Sequence, residues 1–462
     1  MFIGRARELS ELERLYRSDH FEMPVIYGRR RTGKTRLITT FIAGKRAIYV
    51  QARRSNAAAN LRLLSQAILG FATGTSTGSF SSFDEALDAL AALARDERLV
   101  FVIDEFPYLA QSFPEISSLL QEKIDHAFKN ESKLMLILCG SSLSFMEEQV
   151  LGYESPLYGR RTAQFKILPL PYREARTFWA ETDPVDAATY FGITGGIPAY
   201  LELIDPTISV RENIERLFLT PSGFLFEEPT NLLLQECRNP DQYDAIIQAI
   251  AAGRSRLSEI ASLTGIPESN TRTYLVKLQT LGIVKRELPF GVASSKRAIY
   301  ALADHMFRFW YRTVPSNLAL IQNGMANQAY ARIEDLVPTH MGAVFEEICL
   351  QYLYDRARAG DLGIVPAKAG RWWGTDPRTR TQEEIDIIAS DGDAALFAEC
   401  KWRNEPADAE VLRTLVHRSE LFPHAEKCYF VFSKTGFTAG CTELAQQRGD
   451  VELVTLADMY GD

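Results

Sequence analysis

Cysteine and histidine are scarce in this 462-residue chain, six of each. The cysteines (Cys139, Cys237, Cys349, Cys400, Cys428 and Cys441) are scattered with no C-x-x-C, and no H-E-x-x-H occurs. A disulfide scaffold, a zinc finger and a zincin are therefore disfavoured, and a reducing cytoplasm is the expected location. No apolar run approaches the roughly 18 residues a membrane span requires, so no membrane partner is expected. Arg5 and Arg7 interrupt the N-terminus before any apolar stretch suited to a signal peptide. An excess of one charge sign is also lacking. The 51 Lys/Arg and 59 Asp/Glu leave −8, which argues against a general nucleic-acid coat. With 46% hydrophobic and 24% charged residues the chain is not disordered, and its length predicts two to four domains.

What is present begins with strand-like apolar runs at 24–27, 47–50, 99–103, 134–138 and 165–167. They alternate with amphipathic helical stretches, as in a parallel α/β sheet. Val25-Ile26-Tyr27 leads into Gly28-Arg29-Arg30-Arg31-Thr32-Gly33-Lys34-Thr35 and then into a helical run. This is G-x-x-x-x-G-K-[ST] between a strand and a helix, the context that gives the motif meaning. Its glycines let loop amides wrap the phosphates of ATP, and the helix N-terminus adds partial positive charge. Lys34 is expected to reach the β- and γ-phosphates, and the Thr35 hydroxyl to ligate Mg²⁺.

The run 99–103 ends in Asp104-Glu105. An Asp at the carboxyl end of a buried strand holds Mg²⁺ through water, and the adjacent Glu polarises the attacking water. The separation from the phosphate loop leaves room for an extra strand between the two motifs. Ser142, after the run 134–138, either senses the γ-phosphate or caps the next helix. Arg160 or Arg161 either approaches the phosphates as a finger or pairs with a carboxylate, and Arg160 is the residue assigned here.

Five segments carry a family resemblance: F-I-G-R-A-R-E-L from Phe2, Y-G-R-R-R-T-G-K-T from Tyr27, V-I-D-E-F from Val102, S-P-L-Y-G-R-R-T from Ser155, and G-G-I-P-A-Y-L from Gly195. Together they resemble the archaeal-type ATPases, P-loop proteins of the signal-transduction (STAND) kind. The resemblance implies an AAA-like core with a helical lid, and Gly4 and Arg5 near the adenine. The position of Thr32 is more often valine in that family, which alters a loop side chain and leaves the phosphate cradle intact.

Residues 243–252, 257–264 and 268–281 read as helices, with a turn at Gly265-Ile266-Pro267, and two alternating strands follow around 289–297. This is helix-turn-helix grammar with a β-wing. Residues 241–312 carry ten Lys/Arg against six Asp/Glu, so this block is +4 while the remainder is −12. Thr271, Arg272 and Lys277 fall on the recognition helix and Lys296 and Arg297 on the wing, where Arg and Lys neutralise phosphates or read guanine edges of DNA. A winged helix that docks protein instead of DNA has the same grammar.

Near the C-terminus, 341–356 is an amphipathic helix with Glu346 at the rim of its apolar face and Glu347 pointing nearly away. Strands at 384–388 and 395–402 are joined by Ser390-Asp391-Gly392-Asp393, a good hairpin turn. Strand alternation puts Glu399 and Lys401 on one face, so the hairpin can gather Asp386, Glu399 and Lys401 at one point. Oxygen ligands of this kind suit Mg²⁺ or Mn²⁺, which would polarise a phosphodiester. Alternating charges on a solvated strand face would look the same. The pattern resembles the D…(D/E)-x-K arrangement of restriction-endonuclease-like nucleases, and archaeal-type ATPases often carry a C-terminal domain that resembles it. By that resemblance Asp386, Glu399 and Lys401 form the core site, Asp386 and Glu399 hold the metal, and Glu346 completes it.

The expected architecture is an α/β P-loop NTPase (AAA-like) parallel sheet with helical lid (1–230), an α+β winged helix (235–315) and an α/β restriction-endonuclease-like domain (335–462). The expected function is an ATP-dependent switch coupled to a metal-dependent nuclease on DNA. The alternative is a STAND-type signalling or assembly ATPase, forming a homo-oligomer, whose C-terminal domain binds partners without cleaving.

Overall fold

Two strands with no polar side chain along most of their length organise the N-terminal half. The computed structural model describes residues 2–294 and 297–461. Five strands, β1 (Pro24–Tyr27), β2 (Ala47–Gln51), β3 (Leu99–Asp104), β4 (Leu134–Gly140) and β5 (Ala163–Lys166), pair in the order β2-β3-β4-β1-β5. All four pairings are parallel. Every residue of β3 and β4 is buried, which is why their sequence reads as a continuous apolar run: parallel strands are covered by helices on both faces. On one face Ile26, Val102 and Ile137 pack against Leu37, Ile38 and Phe41 of the helix Lys34–Ile42. The edge strand β5 starts two residues before the expected 165–167. Among the described residues it pairs only with β1, and it alternates in exposure, so apolar density locates it poorly.

The chain divides into two compact units, Met1–Leu170 with Ile197–Ala199, and Pro171–Gly196 with Tyr200–Asp462. The helix Pro184–Thr194, in the stretch expected to form the lid, packs within the second unit on the helices His305–Thr313 and Leu336–Ala359. Gly192 allows this closeness, since a Cβ there would meet the Met341 sulfur at 2.4 Å. His340 Nε2 lies 2.8 Å from the Gly192 carbonyl.

The winged helix comprises the helices Pro240–Ala251, Leu257–Thr264 and Glu268–Thr280 with an antiparallel pair, β6 (Val284–Glu287) and β7 (Ile299–Leu302). Last comes a mixed sheet of β8 (Lys368–Thr375), β9 (Gln382–Asp391), β10 (Ala394–Lys401), β11 (Glu426–Ser433) and β12 (Val451–Thr455). Its order is β12-β11-β10-β9-β8, antiparallel across β8, β9 and β10 and parallel from β10 to β12. The helix Ala409–Ser419 seats Leu412 and Leu415 on Ile388, Phe397 and Val431, and the long helix Leu336–Ala359 packs on β9 and β10.

Phe101 sits at the centre of β3 with no exposed surface. Phe101→Ala is expected to lower the unfolding free energy by about 3–5 kcal/mol, through lost burial and the cavity left behind, measured by urea titration followed by circular dichroism.

Candidate functional site

The phosphate loop leaves the end of β1 through Gly28, whose φ of 157° accompanies a close approach to the chain beyond β5. A Cβ there would stand 2.4 Å from the Ile167 carbonyl oxygen, so only glycine fits. Arg31 (φ 69°) and Gly33 (φ 87°) take left-handed backbone and turn the loop into the helix Lys34–Ile42. Lys34 is buried, and its Nζ donates to the Gly28 and Arg29 carbonyls at 2.8 Å each, holding the loop in its curve. The Thr32 hydroxyl donates to the Arg29 carbonyl at 2.8 Å. Arg30 Nη2 donates to the Tyr108 hydroxyl at 2.7 Å. Arg5, which follows Gly4 in a left-handed turn, donates to the Thr32 carbonyl at 3.3 Å and to the Leu168 carbonyl, so it is tied to the loop itself.

Asp104 and Glu105 stand where β3 stops. Asp104 is buried, and its Oδ2 accepts from the Thr35 hydroxyl at 2.9 Å and from the Tyr49 hydroxyl at 2.6 Å. Its Oδ1 accepts the Glu105 amide at 2.9 Å. Glu105 has φ 53° and turns its carboxylate to Ser141, whose hydroxyl donates to Oε2 at 2.9 Å. Thus Ser141, and not Ser142, contacts the catalytic candidate. Strand β4 runs to Gly140, two residues past the expected end, and Ser141 is the first side chain beyond it. Ser142 starts the turn Leu143–Phe145 and makes no side-chain cap. Of the two roles open to Arg160, the structure supplies the carboxylate: its Nη2 lies 2.5 Å from Asp125, and its Nε donates to the same group. Tyr49 escaped sequence reasoning because nothing in β2 marks it, and its proximity to Asp104 comes from the pairing of β2 with β3. Burial, and then Asp104 beside it, push its phenol well up from the ordinary tyrosine value.

On the winged helix Arg272 and Arg297 are exposed and Lys277 is half-buried. Lys296 lies outside the described residues. Thr271 is not a surface residue of the recognition helix: it is fully buried, and its hydroxyl donates to the Ile266 and Pro267 carbonyls, sealing the turn.

In the C-terminal sheet, β9 carries one more residue than β8 between the pairs Gly370–Ile388 and Trp372–Ile385. Such a bulge breaks strict alternation and re-aims a side chain. The two residues at the slip, opposite Arg371 of β8, are Asp386 and Ile387, and both line a cavity with Glu346 of the long helix. Asp386 Oδ2 accepts the Cys400 amide at 2.8 Å. Glu399, on β10, holds Lys401 Nζ at 2.5 Å and lies 3.7 Å from Arg418. Glu399 Oε2 is buried with no hydrogen-bond partner among the described residues. The expected four residues therefore adjoin: Asp386 lines the cavity with Glu346, and Glu399, which holds Lys401, lies close enough to act on the Asp386 charge. Among the described residues no group of three or more His, Cys, Asp or Glu is arranged to hold a metal ion.

Burial, then the Glu399 and Glu346 carboxylates, push Asp386 up to about 8. Glu346 is pushed up by burial against the pull of Arg371. Glu347 does not point away: it lines the same cavity, because the helix His305–Thr313 covers that side of the long helix. Burial opposes its charge, yet His305 Nε2, 3.1 Å from Oε2, and the cations beyond hold its carboxyl down at about 2.

Residues 2–204 match an ATPase domain predominantly from Archaea, 245–288 the IclR helix-turn-helix domain, and 310–412 a domain of archaeal and bacterial proteins of unknown function. The uncharacterized protein MJECL04 of Methanocaldococcus jannaschii is 31% identical over 441 residues, 94% of this chain and 96% of its own. Two solved structures are similar. The Walker-type ATPase PABY2304 of Pyrococcus abyssi has a TM-score of 0.49 and 20% identity over 67% of this chain and 96% of that one. The Aeropyrum pernix ORC2 protein, solved as ADPNP-ADP complexes, has 0.42 and 18% over 70% and 96%. With a phosphate loop after β1, an Asp-Glu pair at the end of β3 in the same parallel sheet, and a relative matched along almost its whole length, the chain belongs to the archaeal-type P-loop ATPase family and carries a winged helix later in its sequence.

Proposed function

We propose that the chain is an ATP-hydrolysing switch whose nucleotide state is coupled to DNA contact by the winged helix and to a metal-dependent nuclease-like domain. In the ATPase half, Lys34 exchanges its loop carbonyls for the β- and γ-phosphates, a strong exchange because both partners are then charged. Thr35 and Asp104, hydrogen-bonded to each other, are the pair that would hold Mg²⁺. Glu105 accepts the proton of the attacking water and is oriented for that by Ser141. Loop amides from Gly28 to Thr35 supply the phosphate cradle, and Arg29, Arg30 and Arg31 add positive charge around it.

The observation that carries the nuclease half is the β9–β10 junction. A buried orphan oxygen on Glu399 beside a crowded Asp386 is a donor set short of one cation, and this fits Mg²⁺ or Mn²⁺ held by those two carboxylates. Such an ion supplies polarisation of a phosphodiester when bound. Lys401, anchored on Glu399, is placed to stabilise the attacking hydroxide, and Glu346 extends the negative wall. Arg272, Lys277, Lys296 and Arg297 are the proposed DNA contacts of the winged helix. The cytoplasm is the proposed location.

Glu105→Gln is expected to lower ATP turnover by about 100-fold or more while nucleotide retention persists, read by steady-state turnover alongside equilibrium binding. Lys401→Ala is expected to abolish Mg²⁺- or Mn²⁺-dependent plasmid nicking and leave ATP turnover unchanged. Failure of the unaltered protein to cut any nucleic acid with any divalent metal ends the nuclease half. A nucleotide-dependent change of oligomeric state by light scattering then favours the assembly reading. Asp386 keeps a proton in the folded protein that the unfolded chain has released between about pH 4 and pH 8, so stability falls as pH rises through that window. In chelator, Asp386→Asn is expected to flatten this loss, on the order of 2 kcal/mol, in unfolding curves at pH 5.5 and 8.0.

A further inference from the structure

The cavity that receives Asp386 and Glu346 has a volume of about 740 Å³, and its opposite walls come from the wing strands β6 and β7, the helix His305–Thr313 and strand β8. Most charges on those walls are already engaged. Lys285 lies 2.6 Å from Glu287, Arg371 is paired with Glu384, and Glu347 is held by His305. Arg308 differs. It is 7% exposed, and its Nε and Nη2 both donate to the Leu302 carbonyl, at 3.1 and 2.6 Å. Its Nη1 is buried with no hydrogen-bond partner among the described residues. A buried guanidinium with one donor edge unsatisfied is costly unless an anion completes it. Arg312 lies one helical turn further on, exposed, and lines the same cavity. Positions four apart share a helix face, and two guanidinium groups so placed match the oxygens of one phosphate.

The remaining walls indicate what the phosphate is attached to. Tyr300, Tyr354 and Trp373 line the cavity, and aromatic rings beside guanidinium groups are the usual platform for unpaired bases. The volume corresponds to a space roughly 9 Å on an edge if cubic. A duplex, whose major groove alone is about 12 Å wide, does not enter it.

We propose that this cavity takes one or two unpaired nucleotides at the end of a single strand, with the phosphate on Arg308 and Arg312 and a base on the aromatic wall. It rests on the nuclease reading for its purpose, since the strand end lies against Asp386 and Glu346, but its observations are separate. The wing and the helix after it thereby serve as one side of the substrate channel, and the nuclease-like domain acts on frayed or single-stranded ends.

The test is fluorescence anisotropy of the full-length chain in EDTA, where no cutting occurs, with a labelled ten-nucleotide single strand, a blunt duplex of equal length, and dAMP as competitor. Arg308 is too buried for safe removal, so the variants are Arg312→Glu and Ala343→Trp. Ala343 is an exposed lining residue, and an indole there fills the cavity without altering its charge. Both variants are expected to weaken single-strand binding at least tenfold and to change duplex binding less than twofold. The unlabelled strand is expected to compete better than dAMP. Single-strand binding unchanged in both variants overturns the proposal, as does an equal loss of duplex binding. Competition by dAMP as effective as the strand assigns the cavity to a free nucleotide and overturns the strand end. Binding that depends on Arg312 in a protein that never cuts removes the nuclease reading and keeps the cavity. Cutting indifferent to both variants does the reverse.

Discussion

Burial of the parallel strands β3 and β4 on both faces is the constraint on which the first unit depends. A strand covered on each side has no place for a charge except where it stops. Asp104 and Glu105 at the end of β3, and Ser141 just past the end of β4, are therefore brought to one edge of the sheet beside the loop that leaves β1. The same burial obliges each polar group there to find a partner. Asp104 accepts from Thr35, Tyr49 and the Glu105 amide, and Lys34 satisfies itself on loop carbonyls. The edge is thus arranged before any nucleotide enters, which is what electrostatic preorganisation requires.

The second unit follows a different rule. Its candidate carboxylates lie on two paired strands, Asp386 at a slip in the β8–β9 register and Glu399 near the end of β10. Asp386 and Ile387 together oppose one residue of β8, and Asp386 lines the cavity with Glu346, while Glu399 beside it holds Lys401 and lies near Arg418. Two thiols near this junction, the buried Cys349 and the half-buried Cys400, lie against each other, and desolvation pushes both up from the ordinary thiol value.

Legibility in the sequence varied with how local the cause was. Four of the five strands of the first sheet were visible at nearly their true positions because full burial writes itself as an apolar run; β5, half exposed at an edge, was displaced. The phosphate loop was readable because its glycines and lysine are consecutive. Ser141 and Ser142 are adjacent and chemically identical, so only the length of β4 chooses between them. Thr271 carries a hydroxyl on the helix expected to read DNA, yet the turn before it takes that hydroxyl inward. Arg308 and Arg312 were counted in a basic block without any sign that they share a cavity with acids far along the chain.

By itself, then, the sequence determined the strand-loop-helix around Lys34, the Asp104-Glu105 pair, the three helices of the winged block and the hairpin carrying Asp386 and Glu399. Each is written within a dozen or so consecutive residues through periodicity, glycine placement or turn chemistry. Only the tertiary structure decided the partners across distance: Tyr49 on Asp104, Asp125 on Arg160, His305 on Glu347, and Arg308 and Asp386 in the lining of a common cavity. Register, bulges and helix packing set those meetings, and no residue type announces which remote side chain a strand or helix will bring beside it. The mild net acidity of the chain changes meaning accordingly, since positive charge concentrated on one helix face can meet a phosphate whatever the total.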